Sequence, residues 1–169
     1  PVHGPIVSPK GQKYIFMPGR DCNINYRTID KILRREGAIK IMSTPEEHDK
    51  AMAIVQVLTH TLRILSADSI VALSEELGID IKRLYDFSSP VYETEFKLTS
   101  RVLNGGPEIY FQIQSNNHYT FQVLDMVRRG LMKHSDIISS QNFAKFAEKW
   151  LINQSKIVSV WKELCLATE

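Results

Sequence analysis

The sequence has few of the features that mark metal, redox or nucleotide sites. Only two of its 169 residues are cysteines, Cys22 and Cys165, and their separation matches no metal-binding or redox motif. We therefore expect free thiols in a reducing compartment, and a cytoplasmic location. No G-x-G-x-x-G dinucleotide fingerprint occurs. His48 and His60 are predicted to lie roughly 120° apart around a helix, and no cysteine or carboxylate completes a ligand set, so no metal site is expected.

Strong charge and long apolar runs are also absent. The net charge of +2 is too small to indicate a nucleic-acid or membrane partner. Nothing resembles a signal peptide, and the longest uninterrupted apolar runs are shorter than the roughly 20 residues of a membrane span. With 43% hydrophobic and 24% charged residues, the composition is that of a globular chain of one domain or slightly more. We expect neither a nucleic-acid partner nor a membrane partner.

What the sequence does contain is one long apolar helix, predicted over Ser43 to Leu65. Thr44 can cap this helix, Pro45 occupies its first position, and Glu47 completes a capping box. The middle of the helix is apolar around its whole circumference, so other helices or a second subunit must bury it. Because one small layer of helices covers too little of this surface, the chain is predicted to form a homodimer.

Two polar side chains, Gln56 and His60, interrupt this apolar helix. They are four residues apart and so share a face. A buried polar pair costs free energy unless it is hydrogen-bonded, which makes it either a satisfied structural pair or a binding feature. Buried histidines more often bond a neighbour than a ligand, so the residues alone favour the structural pair and leave the other interpretation open.

The first 43 residues carry the pattern of a βαβ unit. Lys13 to Met17 and Ala38 to Met42 are apolar runs typical of buried strands, and a helix capped by Asn23 and ended by Gly37 lies between them. Such strands are parallel, and two parallel strands do not form a stable sheet alone. Residues 1–43 are therefore expected to end a larger α/β domain. The chain begins at Pro1 without an initiator methionine, which suggests a processed or truncated product.

The remainder, residues 44–169, is predicted to be entirely helical. One further helix is expected to start at Asp68 or Ser69 and to end at Gly78. Among the later helices, Asp80 is expected to cap one, the segment Ser88-Ser89-Pro90 to start another, and the helix HYTFQVLDMVRRG to end at Gly130. The Gly105-Gly106 pair is interpreted as a turn between two helices. The predicted fold class is mainly α, with an all-helical domain preceded by a terminal βαβ unit.

Four segments together resemble the prephenate dehydrogenase family. Residues 1–5 (PVHGP) are similar to the end of that family's His-Pro-x-x-Gly-Pro loop. Residues 47–60 (EHDKAMAIVQVLTH) are similar to the first helix of its dimerisation domain. Residues 88–92 (SSPVY) and 98–101 (LTSR) are similar to the segment that follows. The resemblance covers nearly the whole chain.

This resemblance implies an oxidoreductase of tyrosine biosynthesis that uses NAD or NADP. Members oxidise prephenate with loss of carbon dioxide to give 4-hydroxyphenylpyruvate, and arogenate dehydrogenases do the same to the amino analogue. Residues 1–43 would be the C-terminal remnant of the Rossmann-type NAD(P)-binding domain. Residues 44–169 would be the helical substrate-binding and dimerisation domain. The choice between NAD and NADP, and between prephenate and arogenate, stays open.

The resemblance also implies the site residues. Arg101 matches the substrate-binding arginine, whose planar fork suits a carboxylate, and His60 matches a histidine placed against the substrate's side chain. Gln56 faces the same way as His60 and could assist. Without the resemblance, Arg101 would be interpreted as a surface arginine paired with Glu95 or Glu93.

The catalytic base implied by the resemblance is not among the 169 residues. It would be a histidine just before Pro1, the first residue of the chain. A base must take the substrate's hydroxyl proton as the hydride moves. We therefore expect no turnover by the 169-residue chain alone.

A function of a different class is also open. The chain could be a non-catalytic helical module for dimerisation or effector binding, with tyrosine or a related aromatic acid as feedback ligand. The presence of both His60 and Arg101 favours the enzyme, because an assembly module has no need of a cation expected to be buried at a helix break.

Overall fold

The computed structural model describes residues 8–17 and 24–166. The segment PVHGP that begins at Pro1, the thiol of Cys22 and the predicted cap Asn23 all lie outside these described residues. The assignment of a catalytic base to a histidine just before Pro1 therefore stays a prediction.

The chain begins with strand β1 (Lys13–Phe16), helix α1 (Ile24–Arg35) and strand β2 (Ile39–Met42). The two strands pair in parallel, with Lys13 opposite Ile39 and Phe16 opposite Met42. The predicted parallel βαβ unit is confirmed.

Two local features return the chain from α1 to β2. Gly37 takes a left-handed conformation (φ +78°), and the Ala38 N–H donates to the Leu33 carbonyl at 2.9 Å, which ends the helix. Lys40 of β2 then pairs with Asp30 of α1 at 2.9 Å. The hydrogen bond from the Lys40 ammonium holds the pKa of the Asp30 carboxyl below its ordinary value.

The two-stranded sheet leaves apolar side chains uncovered. Ile39, Ile41 and Met42 of β2 are all exposed. Parallel sheets are normally covered on both faces, so this exposure is what the sequence pattern predicts for part of a larger α/β sheet. The assignment of residues 1–43 to such a domain stays a prediction.

One continuous helix of 33 residues, Pro45–Leu77, follows the sheet. It consists of α2 (Pro45–Met52), a π-helical segment (Ala53–Leu58) and α3 (Thr59–Leu77). The predicted cap is confirmed, because the Thr44 hydroxyl accepts a hydrogen bond from the Glu47 N–H at 3.1 Å. The reciprocal half of the capping box is replaced: the Glu47 carboxylate accepts a hydrogen bond from the Ser43 hydroxyl at 3.1 Å.

The prediction of a new helix at Asp68 or Ser69 is wrong. The long helix continues through these residues, because no glycine or proline interrupts it and the Ser69 hydroxyl donates to the Leu65 carbonyl within the helix at 2.7 Å. The helix ends where it was predicted to end, at Gly78, which is left-handed (φ +65°).

The π-helical segment explains the spacing of the buried face. Ala53, Val57 and Thr61 are buried and lie four residues apart. In an α-helix a step of four residues drifts by about 40° around the axis. The wider turn of a π-helix reduces this drift and keeps the three side chains on one face. Val57 has no exposed surface at all, so it marks the centre of this packing.

The remaining helices are α4 (Ile81–Asp86), α5 (Pro90–Leu103), α6 (Pro107–Asn116), α7 (Thr120–Ser139) and α8 (Phe143–Leu166). Asp80 caps α4 and Ser89 caps α5, since their side chains accept hydrogen bonds from the Lys82 and Tyr92 N–H groups at 2.6 and 3.2 Å. Gly130 lies inside α7, so the predicted helix end at this glycine is wrong. The predicted mainly α fold is confirmed.

The described chain forms two compact units, one ending at Thr120 and the other beginning at Phe121. In the first unit α5 packs against α3, and an ion pair between Arg63 and Glu95 joins the two helices. In the second unit α8 has a stripe of exposed apolar side chains: Trp150, Ile157, Trp161 and Leu164. The division at residue 43 predicted from the sequence is a different one and stays a prediction.

The long helix also exposes much apolar surface. Ile54 and Val55 are 65% and 59% exposed, and other exposed apolar side chains follow along the helix: Leu62, Leu65, Val71, Leu73 and Leu77. By length and composition alone the helix could cross a membrane, with a mean hydropathy of 1.2 over 18 residues. The count of uninterrupted apolar runs in the sequence therefore underestimated the apolar length of this helix. The core helix of a helical assembly can have this length and composition as well. In either case the apolar surface has to be buried, by lipid or by other protein.

We expect Val57→Ala to lower the free energy of unfolding by about 2 kcal/mol, because two buried carbon atoms are lost and a cavity is left. Val91→Ala is the matched control, since Val91 is 73% exposed and should change stability by less than about 0.5 kcal/mol. Urea unfolding at one protein concentration measures both. Equal effects of the two substitutions would contradict the position of Val57 at the centre of the packing.

Candidate functional site

His60 is the second residue of α3 and lies half-buried against α6. Its ring meets the Tyr110 ring edge to face, with 4.8 Å between the ring centroids and 82° between the ring planes. The Nδ1 atom of His60 is buried and has no hydrogen-bond partner among the described residues. A buried ring nitrogen without a partner is costly, so this atom is an unsatisfied polar group beside α6.

Burial also sets the protonation state of His60. Desolvation lowers the pKa of its imidazole below the ordinary value of 6.5. The ring is therefore neutral at physiological pH and offers one donor nitrogen and one acceptor nitrogen.

Gln56 lies within the π-helical segment, about one turn before His60, and is half-buried. Within the described part of the chain its side chain forms no hydrogen bond with His60 or with any other residue. The interpretation of the two as a satisfied structural pair is therefore wrong. Neither side chain has a hydrogen-bond partner among the described residues, which is compatible with a binding feature.

Arg101 lies in the last turn of α5 and is exposed, so the expectation of a buried cation is wrong. It forms no ion pair with a described carboxylate. Glu93, on the same helix, lies 3.8 Å from Lys97, and Glu95 pairs with Arg63 across the α3–α5 contact. The alternative in which Arg101 pairs with Glu93 or Glu95 is thereby excluded.

Helix α6 forms a wall of the site opposite the start of α3. The sequence did not indicate any site residue on this helix. The Thr61 hydroxyl donates to the Gln114 side-chain carbonyl at 2.8 Å, and the Gln114 amide donates to the Tyr110 carbonyl at 3.1 Å. Tyr110 and Gln114 are one turn apart, and this spacing was the available signal. Their partners on α3 are about fifty residues away in sequence, so no local pattern indicated the contact.

A cavity of about 400 Å³ lies beside this wall. Its lining combines apolar side chains with two polar tips: Ile64, Val102, Leu103, Gly105, Pro107, Tyr110, Phe111 and Gln114. Val102 and Leu103 directly follow Arg101, and Tyr110 is the ring that contacts His60. His60 thus contacts a residue that lines the cavity, Tyr110. Arg101 directly precedes two residues that line it. It shows no direct contact among Gln56, His60 and Arg101.

Metal chemistry has no support in the described residues, which contain no group of three histidine, cysteine or carboxylate side chains able to hold an ion. The Nδ1 atom of His48 lies 3.2 Å from the Asp49 carboxylate. This contact gives His48 a partner on the same helix.

Comparison with known proteins decides the family. Residues 44–151 match the family model described as prephenate dehydrogenase, dimerization domain. The chain belongs to the prephenate dehydrogenase family. The resemblance inferred from the sequence is thereby confirmed, and the family includes dehydrogenases among its named members.

Two curated relatives share moderate sequence similarity. The chain is 28% identical over 151 residues to a probable arogenate/prephenate dehydrogenase of Methanocaldococcus jannaschii, covering 88% of this chain and 33% of that protein. It is 25% identical over 121 residues to a 4-amino-4-deoxyprephenate dehydrogenase of Streptomyces pristinaespiralis, covering 72% of this chain and 40% of that protein. The chain therefore spans a third to two fifths of the length of these relatives.

Solved structures share the fold. Prephenate dehydrogenase from A. aeolicus, in complex with hydroxyphenyl propionate and NAD+, has a TM-score of 0.62 at 18% identity, covering 92% of this chain and 51% of that one. Synechocystis arogenate dehydrogenase has a TM-score of 0.57 at 18% identity, covering 88% and 52%. At these identities the likeness establishes the architecture alone.

The lowered pKa of His60 predicts a pH dependence of stability. The unfolded chain binds this proton more tightly than the folded chain, so protonation of His60 disfavours folding as the pH falls below 6.5. We expect the chain to lose more stability than the His60→Gln variant between about pH 7.5 and about pH 5.5. Urea unfolding of both proteins at the two pH values measures this difference. Parallel losses in the two proteins would mean that His60 is not desolvated.

Proposed function

We propose that the chain is the substrate-binding and dimerisation part of an NAD(P)-dependent prephenate dehydrogenase, which converts prephenate to 4-hydroxyphenylpyruvate in tyrosine biosynthesis. The family membership supports this reaction class. The observation that carries the site is the guanidinium of Arg101, which no described carboxylate neutralises although α5 carries two glutamates. An arginine without an anion of its own chain is suited to a carboxylate of a ligand.

His60 contributes a contact of a different kind in this proposal. Because its imidazole is neutral, it hydrogen-bonds the substrate and adds no second positive charge. A dianionic substrate is then held by charge at Arg101 and by a neutral hydrogen bond at His60, with Gln56 able to add a further bond. Two unlike contacts fix the orientation of a ring better than two alike, and orientation is a large part of catalysis in hydride transfer.

The nicotinamide cofactor, NAD or NADP, supplies the hydride acceptor. No G-x-G-x-x-G turn occurs in the 169 residues, so they do not by themselves fit the dinucleotide. The base that takes the substrate's hydroxyl proton is likewise assigned to a histidine just before Pro1, outside these residues. The proposal therefore includes no turnover by the chain alone. We propose a cytoplasmic location on a separate ground, since the spacing of the two cysteines matches no metal-binding or redox motif.

Three substrates are consistent with the names of the relatives. Arogenate differs from prephenate by an amino group on the side chain, and 4-amino-4-deoxyprephenate carries an amino group on the ring. The acidic side chains of α5 already have cationic partners, Lys97 for Glu93 and Arg63 for Glu95. They leave no free carboxylate on this helix for a substrate ammonium group. Tyrosine, which resembles the product, is the candidate feedback ligand.

We also propose that a second copy of the chain, and not a membrane, covers the exposed apolar faces. The long helix and α8 both expose apolar stripes, and a stable homodimer buries surface of this kind. The description of the matched family as a dimerization domain supports this assignment.

We expect Arg101→Ala to weaken binding of prephenate about 10- to 100-fold, the loss of one charge-assisted contact. Arg101→Lys should bind more weakly than the parent chain because lysine lacks the planar fork. Arg83→Ala is the control, since Arg83 is also exposed and pairs with Asp86 at 2.7 Å. Isothermal calorimetry of the four chains measures the affinities. Unchanged affinity in Arg101→Ala, or binding of tyrosine in preference to prephenate, would favour the non-catalytic effector module.

We expect sedimentation at micromolar concentration to give twice the chain mass of 19.4 kDa. Replacing Trp150 and Trp161 by arginine together should shift the population toward monomer, because charge is placed in an apolar stripe. Ser159→Arg is the control, since Ser159 lies roughly 160° around the helix from Trp161. A monomer in the parent chain would contradict the proposal.

A further inference from the structure

The turn between α5 and α6 contains two adjacent glycines with different surroundings. A Cβ atom at Gly105 would lie 2.7 Å from the Cε2 atom of Tyr110, closer than real Cβ atoms approach, and 3.2 Å from its Cζ atom, which is a tight contact. A Cβ atom at Gly106 would meet only a carboxylate oxygen of Glu108, at 3.2 Å. Neither glycine has a left-handed φ. The requirement at Gly105 is therefore space for an aromatic ring, and not backbone freedom.

The Tyr110 ring that fills this space is the ring that contacts His60. Its centroid lies 4.8 Å from that of the imidazole. The backbone of Tyr110 is also held, because the Gln114 amide donates to its carbonyl and Gln114 in turn accepts from Thr61, the residue after His60. The Tyr110 ring is thus fixed between the turn on one side and the start of α3 on the other.

We propose that Gly105 is a positioning residue of the substrate site: its missing side chain lets the Tyr110 ring lie against the turn and hold the His60 imidazole in its binding orientation. The inference rests on the proposed function for the role of His60 and adds to it the two residues that orient this histidine. Tyr110 acts through its ring, and Gly105 acts through Tyr110.

A methyl group at position 105 has to displace the Tyr110 ring. The atoms in its way belong to a planar ring held between the turn and His60, so they cannot rotate aside as the end of a flexible side chain does. Displacing the ring removes the edge-to-face contact and admits water to the imidazole. The pKa of His60 then rises toward its ordinary value, because desolvation is what lowers it.

Other charged groups around His60 have fixed roles that this change does not alter. Arg63 and Glu95 pair with each other where α5 meets α3. Arg101 on α5 and Glu108 on α6 are the other charged residues of the turn region, and no charge contributes to the lowered pKa of His60. The pKa of His60 therefore reports the packing of the Tyr110 ring.

The test compares Gly105→Ala with Gly106→Ala in the full 169-residue chain. The His60 resonance is assigned by its loss in His60→Gln and titrated by NMR, and prephenate binding is measured by calorimetry. We expect Gly105→Ala to raise the pKa of His60 and to weaken prephenate binding about tenfold. Gly106→Ala should leave both unchanged, since the Glu108 carboxylate moves freely.

Substitutions at Tyr110 keep the inference testable if Gly105→Ala does not fold. Tyr110→Leu removes the ring and should raise the pKa of His60 by itself. Tyr110→Phe keeps the ring and should preserve the lowered pKa. In the Tyr110→Leu background, Gly105→Ala should have no further effect, because the two residues act through one contact.

The outcomes separate this inference from the proposed function. If neither Gly105→Ala nor Tyr110→Leu changes the pKa of His60, or if Gly106→Ala changes it equally, Gly105 does not position His60. If the pKa responds as expected while prephenate affinity stays constant in every variant, the contact is real but does not position a binding residue. The inference then fails together with the role proposed for His60, whereas the first outcome leaves that role intact.

Discussion

The packing of the long helix Pro45–Leu77 is the interaction on which the rest of the described structure depends. Val57, in its π-helical segment, is fully buried, and the helix carries His60 about one turn later. The same helix pairs with α5 through Arg63 and with α6 through Thr61. This one helix therefore contacts both of the other helices that contribute to the site, α5 and α6. Its opposite face stays apolar and exposed, so the element that organises the site is also the one that requires a partner.

Two unsatisfied groups distinguish the site from an ordinary helical core. The ring nitrogen of His60 is buried without a partner, and the guanidinium of Arg101 is exposed without a described anion. A core that served packing alone would gain stability by replacing the first with an apolar side chain. A neutral donor or acceptor on α3 and a fixed positive charge on α5 are consistent with recognition of an anion that also carries a polar ring substituent.

Local signals predicted much of the fold. Thr44 with Pro45, Ser89 and Asp80 marked helix starts correctly, because capping chemistry is contained within a few residues. The break at Asp68 was wrong, since a residue able to cap is also tolerated inside a helix. The π-helical segment and the contacts of Tyr110 and Gln114 could not be predicted, because they depend on packing between residues far apart in sequence. Arg101 was found only through the family resemblance; composition favoured pairing with its own helix.

The π-helical segment has a consequence for how the two ends of the long helix relate. A π turn amounts to one extra residue in an otherwise α-helical rod, so the residues after it are rotated by about 100° from an uninterrupted helix. The chain upstream of Ala53 and the chain downstream of Leu58 thus follow two separate periodic patterns. Loss of one residue within the segment, with conversion of the π turn to an α turn, would bring the two patterns into a single phase and leave His60 facing α6. The length of these six residues, more than their identity, sets the phase between the two halves.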